Sequence, residues 1–252
     1  MLCGTAPIAT LSKRAVSVDF DPSFSVDLGQ AQWLQFSYEL PGTREELFPP
    51  GLHPTTPVVV TLQLWRVANG DLGDFGLAQL RLSCRAGMRI RAFLLQSVID
   101  GDNAARVLSE RYAYIPTPGT VHIDRRSDRI EALVSVGGNS VLHAALLKPE
   151  GLEVSGLQHI GNMNLAISKG VPQLLQIEPS IATLGLQRGA QQLMSFDAGF
   201  WRLPGRTLKH SVIAASADVK LALPPVRYVQ DPALSATVGT KEVGFKLDRA
   251  GT

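Results

Sequence analysis

The feature that most constrains this chain is a series of short apolar runs, each ended within a few residues by turn-forming residues. The sequence contains 23 Gly and 16 Pro, and the runs between them are rich in valine, isoleucine and leucine or alternate with polar residues. This pattern is typical of β-strands separated by turns. The predicted strands are residues 33–40, 58–67, 75–85, 88–98, 119–124, 129–136, 141–148, 162–168, 173–177, 183–186, 192–196 and 212–223.

One pair of runs has the signature of a tight hairpin. Ala86 and Gly87 separate two strand-like runs, which predicts antiparallel strands joined by a two-residue turn. Alternation along the strands then puts four arginines on one face, namely Arg81, Arg85, Arg89 and Arg91. Such a face can bind a carboxylate or phosphate group. The alternative is a surface that faces solvent or another copy of the chain.

Helical patterns are few. Residues 102–110 give the clearest helix, with Asp102 at its N-cap. The chain shows no linker, repeat or low-complexity stretch, so we predict a single domain over residues 1–252, with its core at about residues 30–225. A mostly β (α+β) domain with so many strands favours a closed antiparallel barrel, because closure removes exposed sheet edges.

Composition excludes several classes of function. The chain has 24 Lys+Arg against 22 Asp+Glu, a net charge of +2 that gives no reason to expect nucleic-acid binding. Two cysteines do not form a disulfide framework and suit a reducing cytoplasm. We predict no signal peptide, membrane span or membrane partner. The five histidines lack metal-ligand spacing and no cofactor motif is present, so neither a metal nor a cofactor is predicted.

Several segments in the middle of the chain occur in a recognisable order. Val98-Ile-Asp100 leads into a helical run that ends at Glu110, and Tyr114-Ile-Pro116 precedes further strands. Flanking matches lie at residues 48–52, 69–75, 162–172, 203–205 and 211–223. Together they resemble the acetoacetate decarboxylase family over roughly residues 30–230. The resemblance implies a β-rich fold around a closed barrel with an apolar internal cavity, often assembled into homo-oligomers.

The nucleophile that the resemblance implies is missing. In the family, the first of two adjacent lysines forms a Schiff base with the ketone of a β-keto acid. Those positions fall here on Thr117 and Pro118, or on Pro116 and Thr117, depending on the alignment. No lysine occurs between Lys13 and Lys148, and arginine does not replace lysine as an amine nucleophile.

Other polar groups of the family's site are absent as well. Its carboxylates fall here near Leu62 or Gln63 and near Leu77, and its arginine falls near Ala31. A Schiff-base decarboxylase that uses the family's mechanism is therefore not expected.

The segment after the predicted helix supplies the remaining candidates. Glu110 is a candidate general acid or base if burial raises its pKa. Tyr112 or Tyr114 could donate a hydrogen bond to a carbonyl or enolate oxygen. Arg111 and Thr117 would contribute to substrate binding. In the structural alternative, Glu110 pairs with an arginine and the tyrosines pack with satisfied hydroxyl groups.

Three further candidates for substrate binding lie on the predicted strands. Trp65 and Gln63 share one face of the strand at residues 58–67. Trp65 is a candidate aromatic wall, with ordinary core packing as the alternative, and Arg91 comes from the arginine hairpin.

Four functions remain open. The first is a lysine-free enzyme of the acetoacetate decarboxylase type, acting as a lyase, isomerase or cyclase on a β-keto or polyketide-like carbonyl substrate in specialised metabolism. The second is a non-catalytic binding protein for a small apolar ligand. The third is an atypical decarboxylase that uses a displaced Lys148, Lys169 or Lys209. The fourth is an oligomeric protein with no small-molecule role.

Overall fold

The computed structural model describes residues 2–19, 21–42, 44–154 and 159–243, and its regular structure is mostly β. The strands are β1 (Val16–Ser17), β2 (Val26–Leu40), β3 (His53–Pro54), β4 (Val58–Ala68), β5 (Phe75–Ala86), β6 (Arg89–Asp100), β7 (Thr117–Pro118), β8 (Thr120–Arg125), β9 (Arg129–Val136), β10 (Asn139–Leu152), β11 (Asn162–Ser168), β12 (Val171–Ile177), β13 (Ser180–Phe196), β14 (Lys209–Leu223), β15 (Tyr228–Gln230) and β16 (Thr240–Glu242). The helices are α1 (Ile8–Ser12), α2 (Asp102–Tyr112), α3 (Ala236–Gly239) and a 3₁₀ turn at Glu45–Leu47. Within the described residues, no helix has the length and apolar character needed to cross a membrane.

All the strands belong to one sheet, which the structure shows as an open path of pairings. The order of hydrogen-bonded neighbours is β16-β15-β12-β11-β6-β5-β4-β2-β14-β13-β10-β9-β8. In the described ranges no pairing joins β16 to β8, so the predicted closed barrel is not confirmed. The sheet nevertheless curls on itself, because Val121 of β8 packs onto β5. There a side chain at Gly76 would have its Cβ only 2.7 Å from the Val121 Cβ, so the approach requires glycine.

The predicted strands are largely confirmed, with one correction. Residues 183–186 and 192–196 were expected to form separate strands, yet both belong to the continuous strand β13. The polar residues between them stay in the ladder, since Gln187 pairs with Gly151 and Arg188 with Glu150 of β10. Most of β13 is exposed or half-buried, so polar side chains there do not interrupt the strand.

The hairpin of β5 and β6 is confirmed, but its loop and its arginine face differ from expectation. Ala86 pairs with Arg89, so the two-residue loop is Gly87 and Met88. Odd-numbered residues of β5 near the loop pair with even-numbered residues of β6, such as Arg85 with Ile90. Paired residues share a face. The register therefore puts Arg81 and Arg85 on one face of the hairpin and Arg89 and Arg91 on the other.

The central strands are buried on both faces, which explains their near-continuous apolar sequences. One face of β2, β4 and β5 contributes Phe36, Leu62 and Leu80 to a large apolar core. The opposite face contributes Trp33 and Trp65 to a second core, which also contains residues of α2. Further along that second face the side chains become polar, and a cavity opens.

Candidate functional site

The cavity has a volume of about 590 Å³. Its walls come from β2, β4, β5 and the start of β6, together with residues 159–161, 178–181 and 212–213. The lining side chains with polar atoms are Gln35, Ser37, Thr55, Thr61, Gln63, Trp65, Arg81, Ser83, Arg91, His159 and Glu178. A cavity of this size falls within the range of about 300–1,000 Å³ that is usual for small-molecule sites.

The strand register arranges the main wall in rows. Trp33, Trp65 and Leu77 lie opposite one another on β2, β4 and β5. Two residues further along each strand, the next row is Gln35, Gln63 and Gln79, and the row after that is Ser37, Thr61 and Arg81. Because side chains alternate between faces with period two, all three rows share one face. This face of the sheet thus changes from an apolar row, through a row of neutral amides, to a row that contains Arg81. The residues of these rows that line the cavity are Trp65, Gln35, Gln63, Ser37, Thr61 and Arg81.

A buried network of amides holds the polar part of this wall. The side-chain amides of Gln63 and Gln79 are 2.7 Å apart, and those of Gln79 and Asn162 are 2.8 Å apart. The Trp33 Nε1 and Arg81 Nη2 atoms lie 2.6 and 3.2 Å from one terminal atom of Gln63, which we therefore assign as the amide oxygen. Fixed on several sides, these side chains have little freedom to rearrange.

Arg81 is the most unusual group in the cavity. It is only 5% exposed, and its Nη1 donates to Asn162 Oδ1 at 2.7 Å and to the carbonyl oxygen of Ile160 at 3.1 Å. In the described part of the chain no carboxylate forms an ion pair with it, and its Nε has no hydrogen-bond partner. Burial lowers the pKa of Arg81 to about 10, so the guanidinium is still charged at neutral pH. A buried charge with only neutral partners is costly, and an anion in the cavity would offset that cost.

His159 lines the same cavity. Its ring packs edge-to-face against Trp33, with a centroid separation of 5.7 Å. Neither ring nitrogen has a hydrogen-bond partner within the ranges described. Burial, followed by the nearby Arg81 charge, lowers the pKa of His159. The imidazole is therefore neutral at neutral pH, with one nitrogen that can accept a proton and one that can donate.

A second arginine, Arg91, lines the cavity from the start of β6, and its charge is already neutralised. Arg91 forms an ion pair through Nη2 with Glu178 Oε1, and Arg89 Nη1 lies 4.0 Å from the same carboxylate oxygen. Glu178 also lines the cavity. Since Glu178 pairs with Arg91 and none of the described carboxylates pairs with Arg81, Arg81 is the cation that an anionic ligand would engage.

The structure brings some of the sequence-predicted site residues to the cavity. Gln63, Trp65 and Arg91 line it. Tyr114 lies just behind the wall, fully buried, with its hydroxyl oxygen 3.4 Å from Asn162 Nδ2. Burial raises the pKa of Tyr114, so its hydroxyl is protonated at neutral pH.

The other predicted residues lie elsewhere, each with a protein partner. Glu110 is on the exposed side of α2 and pairs with Arg106 Nη1 at 3.2 Å. Arg111 donates to the carbonyl oxygen of Asp19 at 2.7 Å. Tyr112 donates to the carbonyl oxygen of Leu223 at 2.9 Å. These three contacts match the structural alternative rather than a role in the cavity.

Thr117 is on β7, where its hydroxyl oxygen accepts a hydrogen bond from Gln96 Nε2 at 3.2 Å. It does not line the cavity either.

No lysine takes the place of the missing nucleophile in the part of the chain that the structure describes. Lys148, Lys169 and Lys209 are all exposed, and no lining residue is a lysine. The placement therefore speaks against a displaced Schiff-base lysine. Within the same ranges no cluster of three or more His, Cys, Asp or Glu side chains could hold a metal ion.

Sequence reasoning underestimated Arg81 and His159 and missed Gln79 and Asn162 altogether. One signal for two of them was available: Gln79 and Arg81 begin a series of polar residues at period two on the strand, which continues with Ser83 and Arg85. Polar residues on one face of a buried strand indicate a polar site. No comparable signal marks His159, whose partners are distant in the sequence.

Comparison with solved structures gives a consistent fold. An acetoacetate decarboxylase from Legionella pneumophila superposes with a TM-score of 0.67 at 14% identity, over 80% of this chain and 85% of that one. The enduracididine biosynthesis enzyme MppR, complexed with pyruvate, gives 0.64 at 16% identity over 79% and 87%. An acetoacetate decarboxylase-like enzyme from Sphingomonas wittichii RW1 gives 0.62 at 12% identity over 82% and 92%.

No protein-family model matches the sequence, and no curated protein is found to match it. At identities of 12%, 14% and 16%, the likeness to these solved structures shows a shared fold. The chain therefore resembles acetoacetate decarboxylase and related enzymes in its fold.

Proposed function

We propose that this chain is a lysine-independent enzyme that binds an acidic carbonyl compound, of the β-keto or polyketide-like kind, and moves a proton beside its carbonyl group. One observation carries the proposal: within the described residues, a buried arginine without a carboxylate partner shares the cavity with a neutral histidine whose ring nitrogens have no hydrogen-bond partner. The fold is shared with the enduracididine biosynthesis enzyme MppR, which was solved in complex with pyruvate, a small oxo acid. That likeness supports a role in specialised metabolism.

Arg81 supplies the binding energy for the acid. Hydrogen bonds between a guanidinium and a carboxylate are charge-assisted, and they strengthen where water is excluded. The buried network of amides holds Arg81 in place, through Gln63 on one side and Asn162 on the other. A bound carboxylate would supply the counter-charge that the described residues lack.

His159 supplies the proton transfer. Its neutral imidazole accepts a proton from the carbon beside the carbonyl, and the C–H bonding electrons form the enolate. The positive charge of Arg81 favours the negative enolate. The protonated imidazole then returns its proton to carbon or to oxygen, so no covalent adduct is needed. Enolisation of this kind is the first step of aldol, cyclisation and dehydration reactions.

The test is deuterium exchange at the carbon beside the ketone of 2-oxobutanoate and 4-oxopentanoate, followed by proton NMR. The wild-type chain should catalyse exchange, and His159→Asn should slow it by about 100-fold or more, as expected for loss of a general base. His122→Asn, which changes an exposed histidine of β8, is the matched control and should exchange normally.

The pH profile gives an independent reading of the same histidine. A base must be unprotonated, so exchange should rise with pH through the pKa of His159. Because burial lowers that pKa below the usual imidazole range, the rate should already be level at neutral pH and fall only in acid. A rate that is still climbing through pH 7–8 would contradict the assignment.

A non-catalytic binding protein is the second candidate, and the amide row favours it. Gln35, Gln63 and Gln79 can form hydrogen bonds, but a neutral amide does not act as a general acid or base. In that case the oxo acids would bind through Arg81 and the exchange rate would equal the rate without protein. Assembly into homo-oligomers stays a prediction from the resemblance, to be measured by sedimentation velocity.

A further inference from the structure

Burial differs sharply between the inner and the outer part of the cavity. The inner part holds Gln63, Trp65 and Arg81, each 5% exposed or less. The outer part holds four large aliphatic side chains, which we call the apolar rim: Ile90, Ile160, Val212 and Ile213. Their exposed fractions are 48%, 37%, 50% and 43%. The buried charge of Arg81 is therefore at the bottom of the cavity, whereas the opening carries the apolar rim together with the Arg91–Glu178 ion pair.

This distribution is the reverse of what solvent alone would favour. Exposed aliphatic side chains that gather around one cavity indicate a binding surface, whereas isolated ones need no explanation. The volume of about 590 Å³ corresponds to about twenty times the share of liquid volume taken by one water molecule. A three-carbon or four-carbon acid held on Arg81 would fill only a part of that space.

We infer that the site takes an oxo acid with an apolar chain, its carboxylate on Arg81 and its chain across Ile90, Val212 and Ile213. The inference rests on the proposed function for the acid group and adds the substrate class. The apolar chain of the ligand runs outwards because Arg81 is the inner cation and has no carboxylate partner among the described residues, while Arg91 is held by Glu178. Apolar contacts at the opening then decide among acids that all share the same head group.

The experiment is a chain-length series measured by calorimetry on the full chain. Sodium butanoate, hexanoate, octanoate and decanoate each present a carboxylate with a longer tail. Affinity should rise about fourfold per methylene group while the tail remains on the rim. Octan-1-ol, which has the tail without the charge, should bind more weakly than octanoate.

Two variants distinguish the contribution of the carboxylate group to binding from that of the apolar tail. Arg81→Gln should weaken binding of every acid by a similar factor. The double variant Val212→Thr with Ile213→Thr keeps β-branched residues on β14 and should flatten the chain-length dependence without changing butanoate binding. Thermal unfolding of each free variant checks its fold. The octan-1-ol comparison needs only the wild-type chain, so it stands even if a variant does not fold.

The outcomes distinguish the inference from the proposal beneath it. If butanoate binds through Arg81 but affinity does not depend on chain length, or if the double variant keeps the full dependence, the inference fails and the proposed acid site stands. If no acid binds in an Arg81-dependent way, the proposed function itself fails. A double variant that changes sedimentation, but not the chain-length dependence, would show that the rim is an interface between copies and would also overturn the inference.

Discussion

Two regions of this molecule offer polar side chains for chemistry, and they differ in how those side chains are satisfied. The cavity wall carries Arg81 with neutral partners only, and His159 with none, in the part of the chain described. On α2, by contrast, Glu110 pairs with Arg106 and Tyr112 donates to a backbone carbonyl. Both regions contain acid–base groups of the types used in catalysis.

The difference shows that residue type alone does not mark the site: what sets the cavity apart is Arg81, a buried charge for which the described residues supply no carboxylate. Buried polar groups in folded proteins are nearly all paired, so an unpaired one calls for an explanation. Around α2 the protein itself provides partners for Glu110, Arg111 and Tyr112. In the cavity the partners of Arg81 and His159 are incomplete, and a ligand would complete them.

The sharpest test of this contrast uses two asparagines of the same strand. Asn162 accepts from Arg81 and contacts Gln79, whereas Asn164 donates to the carbonyl oxygen of Tyr112 at 2.8 Å. Asn162→Ala should lower the free energy of unfolding by about 3 kcal/mol, because it removes a hydrogen bond to a buried charge as well as a neutral one. Asn164→Ala should cost about 1–2 kcal/mol. Urea denaturation measures both changes in the free energy of unfolding. Equal losses would show that the cavity network contributes no more to stability than the hydrogen bond of Asn164 does.

A smaller effect is expected at the tyrosines. Tyr112→Phe leaves the carbonyl oxygen of Leu223 without its donor, so we expect a loss of about 1–2 kcal/mol in the free energy of unfolding. Tyr114→Phe loses only a long contact of 3.4 Å with Asn162 and should cost about 0.5 kcal/mol. Thermal unfolding of the pair checks the order. The reverse order would mean that Tyr114 is more tightly integrated than its geometry indicates.

The smallest effect is expected at Glu110. Its pair with Arg106 is an exposed contact between residues one helical turn apart, and such pairs contribute little. Glu110→Gln should therefore change the free energy of unfolding by less than about 0.5 kcal/mol. It should also leave deuterium exchange into 2-oxobutanoate within about twofold of the wild type. A large loss of deuterium exchange in this variant would indicate that Glu110 on α2 takes part in catalysis.

Most of the strands could be predicted from sequence because their patterns are local. The strand at residues 129–136 matches β9 residue for residue, and that at 162–168 matches β11. The position of Glu110 was also readable. Buried Ala104, Val107 and Leu108 define the inner face of α2, and helical periodicity puts Glu110 beside Arg106 on the other side.

The site could not be predicted in the same way, because depth in a cavity is not a local property. Arg81 and Arg85 lie on the same face of β5, yet the first is buried and the second exposed. His159 is defined by Trp33 and Arg81, both distant along the chain. Only the folded sheet brings such groups together. The alternation of side chains along a strand therefore predicts which face of the sheet a residue lies on, but not which residues surround it.

The row of Gln35, Gln63 and Gln79 has a consequence for the sign of the charge that this protein can accept. Gln63 contacts Arg81 through its side-chain amide, and glutamate differs from glutamine there only in having an oxygen in place of the amide nitrogen. Were residue 63 a glutamate, the protein would carry its own permanent counter-ion, and an incoming acid would have to compete with it. The neutral amide leaves the guanidinium in place with its charge uncancelled. In the proposed acid site, the amide of Gln63 therefore leaves Arg81 available to an anion, whereas a carboxylate at this position would neutralise it.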